Sequence, residues 1–571
     1  MSIPASLPAL TSRAVPPPRH GFLNAIWLPL ALLVAAGALA PLLSLAWSAL
    51  QGSPGLWLHL AEHVLPRALG NTLALLLGVG IIVILLGTGA AWLVTAYDFP
   101  GRRVLGWALL LPLAVPTYII AFSYLDILHP LGPIPSALRW VLGIDSPRGL
   151  RLPDVRSLGG CILVLGFVLY PYVYLTTRVM FQSQAASLLE AARTLGASRA
   201  EVFWRVALPL ARPAIAIGAS LALLEALNDI GASEFLGVQT LTVSVYTTWI
   251  TRSDLPGAAQ IALSMLALVL ALILIERQGR KRQRYSLTQR PRPLQPLRLR
   301  GAPALLALTL GWIPVVAGFV APAAYLLEAT VKRLHLVGGV SAQLLASLQN
   351  TVVLALTATL ATVVTGLVVA WAVRSARHRR QARLGAICAR TASLGYAVPG
   401  TVLAIGLLTP LALIDDAIGH VLSTLFDIPP QLWLMGSMSA LVLVYLLRFL
   451  AISVGGIEAG LARIPVSLDC AARSLGENSG GILRRIHLPL LRPALAGAAL
   501  LVFVDAMKEL PATLLLRPMN FDTLATWLYA EAARGTYEEG AVAALAIVLA
   551  GLLPVVLLAR AGQPTSARSS R

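Results

Sequence analysis

Long apolar runs alternate with short charged connectors along the whole chain. Each run holds roughly 20 residues, which is the length that a helix needs to cross about 30 Å of hydrocarbon. Lipid-facing backbone must satisfy its own hydrogen bonds, so runs of this length predict helices rather than open strands. We count twelve runs, near residues 27–49, 71–96, 105–127, 159–178, 213–231, 257–275, 303–327, 350–373, 391–413, 433–454, 493–511 and 539–559.

The composition is that of a membrane protein. Of 571 residues, 57% are hydrophobic and only 12% are charged, which is too apolar for a soluble globular domain. We therefore predict an all-α polytopic membrane protein with about twelve transmembrane helices. The first run is too long for the core of a signal peptide, so we predict that it is retained as a span.

The basic residues favour one orientation and one division of the chain. With a cytoplasmic N-terminus, the cytoplasmic segments hold 33 of the 44 lysines and arginines, as the positive-inside rule requires. The net charge of +19 is densest in a proline-rich connector, which suits anchoring beside anionic lipid better than nucleic-acid binding. We predict an arm at residues 1–26, a first repeat at 27–276, a linker at 277–302, a second repeat at 303–560 and a tail at 561–571, with both termini in the cytoplasm.

Two segments, which we call the cassettes, repeat each other. Residues 190–213, EAARTLGASRAEVFWRVALPLARP, match residues 470–493, CAARSLGENSGGILRRIHLPLLRP, with every identity displaced by 280 residues. Within each cassette, the alanine pair permits close helix contact and Gly196 or Gly476 permits a turn that a side chain would obstruct. We predict a helix-turn-helix on the cytoplasmic membrane surface, ended by Leu-Pro, with Pro213 or Pro493 opening the next span. Without a partner it would be an amphipathic interfacial hairpin.

The repeat extends beyond the cassettes. Asn71-Thr72 recurs at residues 350–351, and Ala-Val-Pro at residues 114–116 recurs at 397–399. Six spans in each half give both halves the same orientation in the membrane. We therefore predict two parallel six-helix repeats that enclose a path around an axis along the membrane normal.

The cassettes resemble the EAA loop of ATP-binding-cassette importer permeases, whose pattern is Glu-Ala-Ala, three residues, Gly and later Leu-Pro. The matching residues are Glu190, Ala191, Ala192, Gly196, Leu208 and Pro209 in the first copy, and Ala471, Ala472, Gly476, Leu488 and Pro489 in the second. The resemblance implies a bacterial inner-membrane permease with two fused halves. It also implies coupling helices seated in a separate cytoplasmic ATPase dimer, ATP and Mg²⁺ bound by that ATPase and by no site of this chain, and a periplasmic substrate-binding protein.

The second cassette departs from the pattern at one position. Cys470 stands where Glu190 stands in the first copy. The neighbouring Asp469 would point elsewhere, because one residue corresponds to about 100° of helix rotation. Two interpretations remain open: a charged contact to the ATPase exists on one side only, or Glu190 merely caps its helix.

Both halves carry a pair of acidic residues inside a predicted span. Glu225 and Asp229 are four residues apart, hence on one helix face, and Asp505 and Glu509 are the equivalent pair. Intramembrane carboxylates commonly face a partner or a water-filled path, so we predict that these four line a translocation pathway for a cation. Alternatively they are structural, with Lys508 neutralising its neighbours. Asp126 in the third span is a further candidate.

The cargo is suggested by resemblance as well as by charge. Residues 507–518, MKELPATLLLRP, and 520–526, NFDTLAT, resemble the second half of ferric-iron importer permeases. Thiamine, polyamine and phosphonate importers share the fused or related architecture and remain alternatives. A different class, an ion-coupled secondary transporter, also builds a path from repeats but has no use for two EAA loops.

The chain offers little for catalysis. A phosphate loop needs Gly-Lys-Ser/Thr, and none of the three lysines follows a glycine, so we predict a transport subunit and not an enzyme. The HLAEH sequence at residues 59–63 has the spacing of a zinc-hydrolase motif, but no further ligand lies nearby and an amphipathic connector is the simpler interpretation. The three cysteines indicate neither a disulfide framework nor a metal cluster.

Overall fold

The computed structural model describes residues 26–52, 57–150, 152–183, 192, 194–281, 296–377, 381–427, 429 and 431–561. In this part of the chain, nearly all regular structure is helical. The strands β1 (Tyr97–Asp98) and β2 (Leu297–Arg298) form one short parallel pair. This pair fastens the end of the basic linker to the residues that follow the second span. Glu190, Ala191 and most of the linker lie outside the described residues.

The longer helices of the first half are α1 (Trp27–Gln51), α2 (Leu65–Ala96), α3 (Arg102–Ala108), α4 (Thr117–Ile127), α5 (Pro133–Leu142), α6 (Leu158–Ser183), α7 (Leu208–Asn228), α8 (Gly231–Phe235), α9 (Leu241–Ile250) and α10 (Leu255–Lys281). Those of the second half are α11 (Ala302–Val315), α12 (Ala321–Val337), α13 (Ala342–Arg377), α14 (Ala382–Ala392), α15 (Gly400–Phe426), α16 (Met438–Ala462), α17 (Val466–Ser474), α18 (Leu488–Met507), α19 (Pro511–Leu516), α20 (Leu524–Arg534) and α21 (Tyr537–Ala561).

The prediction of an all-α polytopic membrane protein built from two repeats is confirmed. Among the described residues, eleven helices are long and apolar enough to cross a membrane, or twelve if one bent pair is counted as a single span. The order from α2 to α10 recurs from α13 to α21, with a broken span, a long helix, a second long helix, two short helices and a final span in each copy.

Two predicted spans are not continuous. In the first half, residues 102–114 meet α4 at an angle of 94°. Pro116 causes the break, because it has no N–H to donate and its φ of −58° and ψ of 146° are not helical. Pro399 has the same conformation before α15, so the predicted ninth span at residues 391–413 is divided between α14 and α15. The repeated Ala-Val-Pro thus marks a repeated break.

The predicted starts of the fifth and eleventh spans at Pro213 and Pro493 were wrong. Both prolines lie inside α7 and α18. These helices begin at Leu208 and Leu488, and the preceding prolines of the chain, Pro209 and Pro489, stand in their first turns. The turn before each is π-helical, at Val202–Ala207 and Leu483–His487. A proline cannot complete the usual i→i−4 ladder, and wider π bonds compensate. Leu-Pro therefore joins each cassette to its span without a break.

The repeated Asn-Thr pair ties the short helices of each half to a long one. Asn71 donates to the carbonyl of Gln239 at 3.0 Å, and the Thr72 hydroxyl accepts from the N–H of Leu241 at 3.0 Å. In the second half, Asn350 donates to the Asp522 carbonyl, and Thr351 accepts from Leu524 at 2.8 Å. These bonds fix the starts of α9 and α20, the helices that follow the acidic pair and one short helix in each half.

The first span of each half packs on the other half. α1 lies against α13, α14 and α15 of the second half as well as α10, while α11 and α12 lie against α2, α3, α4 and α6 of the first. The contacts are close: a Cβ at Gly406 of α15 would lie 2.3 Å from the carbonyl oxygen of Pro41 in α1. On the other side, Tyr124 of α4 donates to the Ala317 carbonyl at 2.6 Å. The halves are therefore interlocked.

We expect Gly406→Val to lower the free energy of unfolding by about 1–3 kcal/mol, because backbone on both sides leaves no room for a side chain. Thermal unfolding of the purified protein in detergent measures the change. Gly37→Val in α1 is the matched control, since a Cβ there meets no atom within 4 Å. Equal melting temperatures for the two variants would contradict the close approach of α1 and α15.

Candidate functional site

A cavity of about 140 Å³ lies between the two halves, where the broken spans meet. The breaks before α4 and α15, the helices α6 and α16, and the ends of α7 and α18 form its wall. The polar residues that line it are Thr117, Tyr118, Tyr172, Glu225, Asn228, Asp229, Tyr396, Arg448, Asp505, Lys508 and Glu509. The four acidic residues predicted for a pathway thus line one cavity, and their role in transport remains a prediction.

Asp229 caps the short helix α8. α7 ends at Asn228, and Asp229 is extended, with φ −70° and ψ 123°. Its carboxylate accepts the Ser233 N–H at 2.9 Å and the Thr117 hydroxyl at 2.5 Å. A carboxylate at this position satisfies a free N–H and opposes the helix dipole. The argument that Glu225 and Asp229 share a helix face was therefore wrong, because the helix ends between them.

Glu509 has the same role in the second half. α18 ends at Met507, and the Glu509 carboxylate accepts the Ala512 N–H at 3.2 Å and the Thr513 hydroxyl at 3.2 Å, so that it caps α19. Glu509 also forms an ion pair with Arg448 at 3.3 Å. Asp229 and Glu509, the second acid of each pair, are therefore both buried and have a structural role in this conformation.

Asn228 connects the two halves at the cavity. Its side-chain oxygen accepts the N–H of Gly400 at 2.8 Å, which is a free donor at the start of α15. The same oxygen accepts from the guanidinium of Arg448 at 3.2 Å. A Cβ at Gly400 would lie 2.1 Å from that guanidinium, so a side chain there would displace Arg448 from this position. One amide of the first half thereby holds two elements of the second.

Glu225 and Asp505, the first acid of each pair, have different surroundings. Asp505 forms an ion pair with Lys508 at 2.8 Å, as the structural alternative anticipated. Glu225 is partly exposed and, among the described residues, has neither an ion pair nor a hydrogen bond for its carboxylate. Carboxylate and phenol oxygens are hard ligands that suit a multivalent cation. Glu225 is therefore the acid of the cavity whose carboxylate is not bonded to another described residue.

Sequence reasoning missed several lining residues. Arg448 is one of the 33 lysines and arginines that the orientation count assigns to cytoplasmic segments, but it lies in the middle of α16 and faces the cavity. An arginine within an apolar run is itself a signal of an internal partner or path. Tyr172, Tyr396 and Asn228 gave no comparable signal. Asp126 does not line the cavity and instead accepts a hydrogen bond from Tyr325 of α12 at 2.8 Å.

A second contact between the halves follows α8. The hydroxyl of Tyr529 in α20 donates to the carboxylate of Glu234 at 2.5 Å. The Tyr529 ring lies 5.6 Å from that of Phe235 and 6.4 Å from that of Tyr246, measured between centroids. Tyr246 and Tyr529 occupy equivalent positions in α9 and α20. Aromatic packing between equivalent residues closes the interface beyond the cavity.

The two cassettes contain the same type of turn. Gly196 and Gly476 have φ of +88° and +86°, a left-handed conformation that a side chain would strain. After each glycine, a backbone N–H bonds back across five residues, Ala197 to Ala192 and Glu477 to Ala472, both at 3.0 Å. This is the Schellman ending of a helix. The glycine turn predicted from sequence is present in both copies, and the ATPase-coupling role assigned to these residues remains a prediction.

The helix after each turn begins with a polar cap. In the first cassette, Ser198 and Glu201 bond reciprocally to each other's backbone N–H groups. Hydrogen bonds from Ser198 and the charge of Arg205 lower the pKa of Glu201, so it is ionised at neutral pH. In the second cassette, Asn478 accepts from the N–H of Gly481. Glu190 and Ala191 of the first cassette lie outside the described residues. Both interpretations of the exchange of Glu190 for Cys470 therefore stay open.

Each turn exposes a leucine. The residue before the glycine is Leu195 in one cassette and Leu475 in the other, with 88% and 85% of their surface exposed. By contrast, Ala472 is buried and Ala192 is partly buried against neighbouring helices. Leu208 and Leu488 are partly buried at the start of their spans. Two apolar side chains at equivalent positions, both facing outward, form a surface suited to a partner.

Asp469 is buried beneath the second cassette. The Arg374 guanidinium donates to its two carboxylate oxygens, at 2.8 and 3.3 Å, and Nε2 of His487 lies 2.7 Å from one of them. Arg374 also donates to the carbonyls of Leu461 and Ile464 at the end of α16. Burial by itself raises the pKa of Asp469, but its bonds to Arg374 and His487 outweigh burial and hold the pKa below its ordinary value.

The HLAEH sequence lies at the start of the second span, where the chain is π-helical. The rings of His59 and His63 stack with centroids 5.1 Å apart. Within the described residues, no group of three histidine, cysteine, aspartate or glutamate side chains is arranged to hold a metal ion. Stacked imidazoles at a helix start are consistent with the amphipathic connector.

We expect Asn228→Leu to lower the free energy of unfolding by about 1–3 kcal/mol, because the Gly400 N–H and the Arg448 guanidinium lose a buried acceptor. Melting temperature in detergent measures the loss. Glu225→Gln, which changes the same cavity without removing a contact, is expected to melt close to the wild type. An unchanged melting temperature for Asn228→Leu would contradict the contact between the halves.

Comparison with known proteins identifies relatives of both halves. The family described as "Binding-protein-dependent transport system inner membrane component" matches residues 84–285 and again residues 362–565. The chain is 26% identical over 501 residues to the Fe(3+)-transport system permease protein FbpB 2 of Haemophilus influenzae, covering 86% of this chain and 89% of that one. It is 30% identical over 290 residues to the putative 2-aminoethylphosphonate transport system permease protein PhnU of Salmonella choleraesuis, covering 49% and 97%.

Two further similarities are more limited in extent. The molybdenum transport system permease protein ModB of Escherichia coli is 30% identical over 191 residues, covering 32% of this chain and 80% of that one. A crystal structure of a bacterial alginate ABC transporter, in complex with a periplasmic protein that holds alginate pentasaccharide, aligns with a TM-score of 0.39 and 20% identity over 46% of this chain and 94% of that one. The two family matches together extend over most of the chain. This protein belongs to the family of inner membrane components of binding-protein-dependent transport systems, as two fused permease halves, and is a transport subunit rather than an enzyme.

Proposed function

We propose that this chain is the permease of an ATP-driven importer that moves ferric iron from a periplasmic binding protein into the cytoplasm. The observation that carries the proposal is the similarity to the Haemophilus influenzae Fe(3+)-transport permease, which extends over nearly the whole of both chains. The cavity supports it, because Glu225 and three tyrosines offer hard oxygen donors at the interface of the halves, while the other three carboxylates are bonded within the fold. The segment at 507–518 that resembles iron permeases supplies Glu509 to that cavity.

The same proposal assigns the partners and the orientation. A dimeric ATPase binds ATP and Mg²⁺ and contacts the two cassettes, whose exposed leucines would be buried in its grooves. A periplasmic binding protein delivers the cargo at the other end of the bundle. The cassettes, the linker and both termini lie in the cytoplasm of a bacterial cell, which is the side that the basic residues favour. Family membership favours this machine over an ion-coupled secondary transporter.

The cavity suggests how alternating access would proceed. The halves contact each other at the cavity through Asn228 and beyond it through Tyr529 and Glu234. Movement of the cassettes apart or together would break one of these two contacts while the other contact closes. The cavity would then be open to one side of the membrane at a time. Glu225, partly exposed and without a bonded partner among the described residues, would be the first acid to bind a cation that enters. Asp505 would join once Lys508 moves away.

A second cargo, 2-aminoethylphosphonate, is favoured by one observation. The cavity contains the cations Arg448 and Lys508 as well as carboxylates. A phosphonate would pair with the cations and its amine with Glu225, so that both charges of a zwitterion find a partner. The relative named for that cargo matches half of this chain.

The decisive experiment is uptake into proteoliposomes that contain the chain, its ATPase and its binding protein. ⁵⁵Fe-labelled ferric iron is the first cargo and labelled 2-aminoethylphosphonate the second, each with ATP or with a non-hydrolysable analogue inside. ATP-dependent iron uptake supports the proposal. Uptake of the phosphonate alone would retain the machine and replace its cargo, whereas iron uptake that follows an ion gradient without the ATPase would contradict the importer.

We expect Glu225→Gln to reduce ATP-dependent iron uptake at least tenfold, because the cavity loses the carboxylate that has no hydrogen bond or ion pair among the described residues. The initial rate of ⁵⁵Fe uptake measures this effect. Asp126→Asn is the matched control: it also neutralises an acid within a span, but outside the cavity, and uptake should stay within about twofold. Equal uptake by the two variants would remove Glu225 from the pathway.

We expect Leu475→Asp to weaken binding of the ATPase at least tenfold, since burial of a leucine contributes about 1.5–3 kcal/mol and a buried carboxylate adds a penalty. Co-purification and a binding titration of the two proteins measure it. Leu432→Asp, at a leucine with 67% of its surface exposed at the opposite end of the bundle, should bind normally. Normal binding by Leu475→Asp would show that the exposed turn is not the docking surface.

A further inference from the structure

We propose that Asp469 is a positioning residue for energy coupling, holding the second cassette and three spans together as one rigid unit. The inference rests on the assembly proposed above, because coupling requires the ATPase. It does not depend on the cargo. The side chains of Asp469, Arg374 and His487 form a network, which we call the anchor, and the equivalent sequence positions of the first half carry none of these residue types. This asymmetry is the starting point.

The anchor joins four elements at a single carboxylate. Asp469 belongs to α17, the first helix of the cassette, and its surface is wholly buried. Arg374 lies in the last turn of α13 and reaches the carbonyls of Leu461 and Ile464 at the end of α16. His487 directly precedes α18. A force applied to α17 therefore reaches α13, α16 and α18 through charged hydrogen bonds.

The geometry of the anchor resists sliding and rotation. Two donors of one planar guanidinium bind two oxygens of one carboxylate, which fixes both distance and orientation. The His487 ring is held from its other side by the fully buried Trp371, with centroids 4.9 Å apart. A buried charge of this kind has no water to replace a lost partner, so the arrangement is strongly preferred over alternatives.

The first half has apolar or uncharged residues at the same positions. Displacement by 280 residues relates Asp469 to Leu189 and His487 to Ala207. Displacement by 279, which relates Trp371 to Trp92, relates Arg374 to Thr95. Among the described residues, the Thr95 hydroxyl donates to the Ala91 carbonyl of its own helix at 2.7 Å. Trp92 packs instead against Phe181 and Phe203, with centroids 5.2 and 5.1 Å away.

The second cassette and the described part of the first are therefore held by different interactions. Aromatic contacts are less directional than a bidentate ion pair, so the contact of Trp92 with Phe203 resists a shift of the described part of the first cassette less than the anchor resists a shift of the second. The second cassette is fixed. Cys470 stands where the first copy has the glutamate of the EAA pattern. It directly follows Asp469, whose side chain points inward to the anchor. We infer that movement of the ATPase is transmitted most directly through the second half.

The test compares Asp469→Asn with the wild type in the full assembly of chain, ATPase and binding protein. Asparagine retains the size and removes the charge. Two quantities are measured: cargo taken up per ATP hydrolysed, and the mobility of a nitroxide attached to Cys470, which is exposed while Cys161 and Cys388 are buried. We expect uptake per ATP to fall at least tenfold while the ATPase remains bound, and the nitroxide to become more mobile.

Glu539→Gln is the matched control. Glu539 pairs with the largely buried Arg333 at 2.7 Å and joins α12 to α21 in the same half, at the end away from the cassettes. Loss of this pair should leave uptake per ATP and the nitroxide spectrum unchanged. If Asp469→Asn does not assemble, Arg374→Lys replaces it, because lysine keeps the charge but loses the fork; we then expect a several-fold fall in the same ratio.

An unchanged ratio would overturn the proposal whatever the nitroxide shows, since a merely structural anchor alters stability but not coupling. A proportional fall in uptake and ATP hydrolysis would overturn it as well. If the wild type takes up neither iron nor the phosphonate, the proposed cargo fails separately. In that case, equal mobility of the nitroxide in Asp469→Asn and in the wild type still overturns the anchor.

Discussion

The architecture depends on how a helix is broken inside a membrane. Backbone groups released by a break have no water to bond to and must find partners within the protein. Pro116 and Pro399 break the third span of each half, and other short helices start beside them. Side chains supply the missing partners: Asp229 and Glu509 cap α8 and α19, and Asn228 caps the start of α15. The cavity exists because broken ends from both halves are collected at one place.

This constraint explains why the cavity acids are not equivalent. Asp229 and Glu509 are committed to the backbone, so their charge is largely used to hold the fold. Asp505 is balanced by Lys508, and only Glu225 is uncommitted among the acids that the structure describes there. A carboxylate inside a span therefore has either a structural role or, as we propose for Glu225, a transport role, depending on whether a helix end or a cation lies next to it. The four acids divide between these roles although their sequence spacing is the same.

Much of the fold was accessible from the sequence, because apolar length and repeated motifs report directly on the membrane and on duplication. The helical class, the two repeats and the glycine turns follow from these patterns. The breaks at Pro116 and Pro399 were missed, since proline inside a transmembrane helix is commonly tolerated and only tertiary contacts decide whether it breaks. The cavity role of Arg448 and the anchor at Asp469 were missed as well. Both depend on which helices become neighbours, and hydropathy carries no such information.

The interlocked first spans have a consequence for how the chain is made. Helices enter the membrane in order during synthesis, and the surface on which α1 finally packs belongs to α13, α14 and α15. The chain must continue from Gln51 to Phe426 before that surface is complete, so the first half cannot reach its final arrangement by itself. Until then α10 provides the main protein contact of α1. Fusion of the two halves in one chain guarantees that the missing surface arrives, in equal number and in the same place.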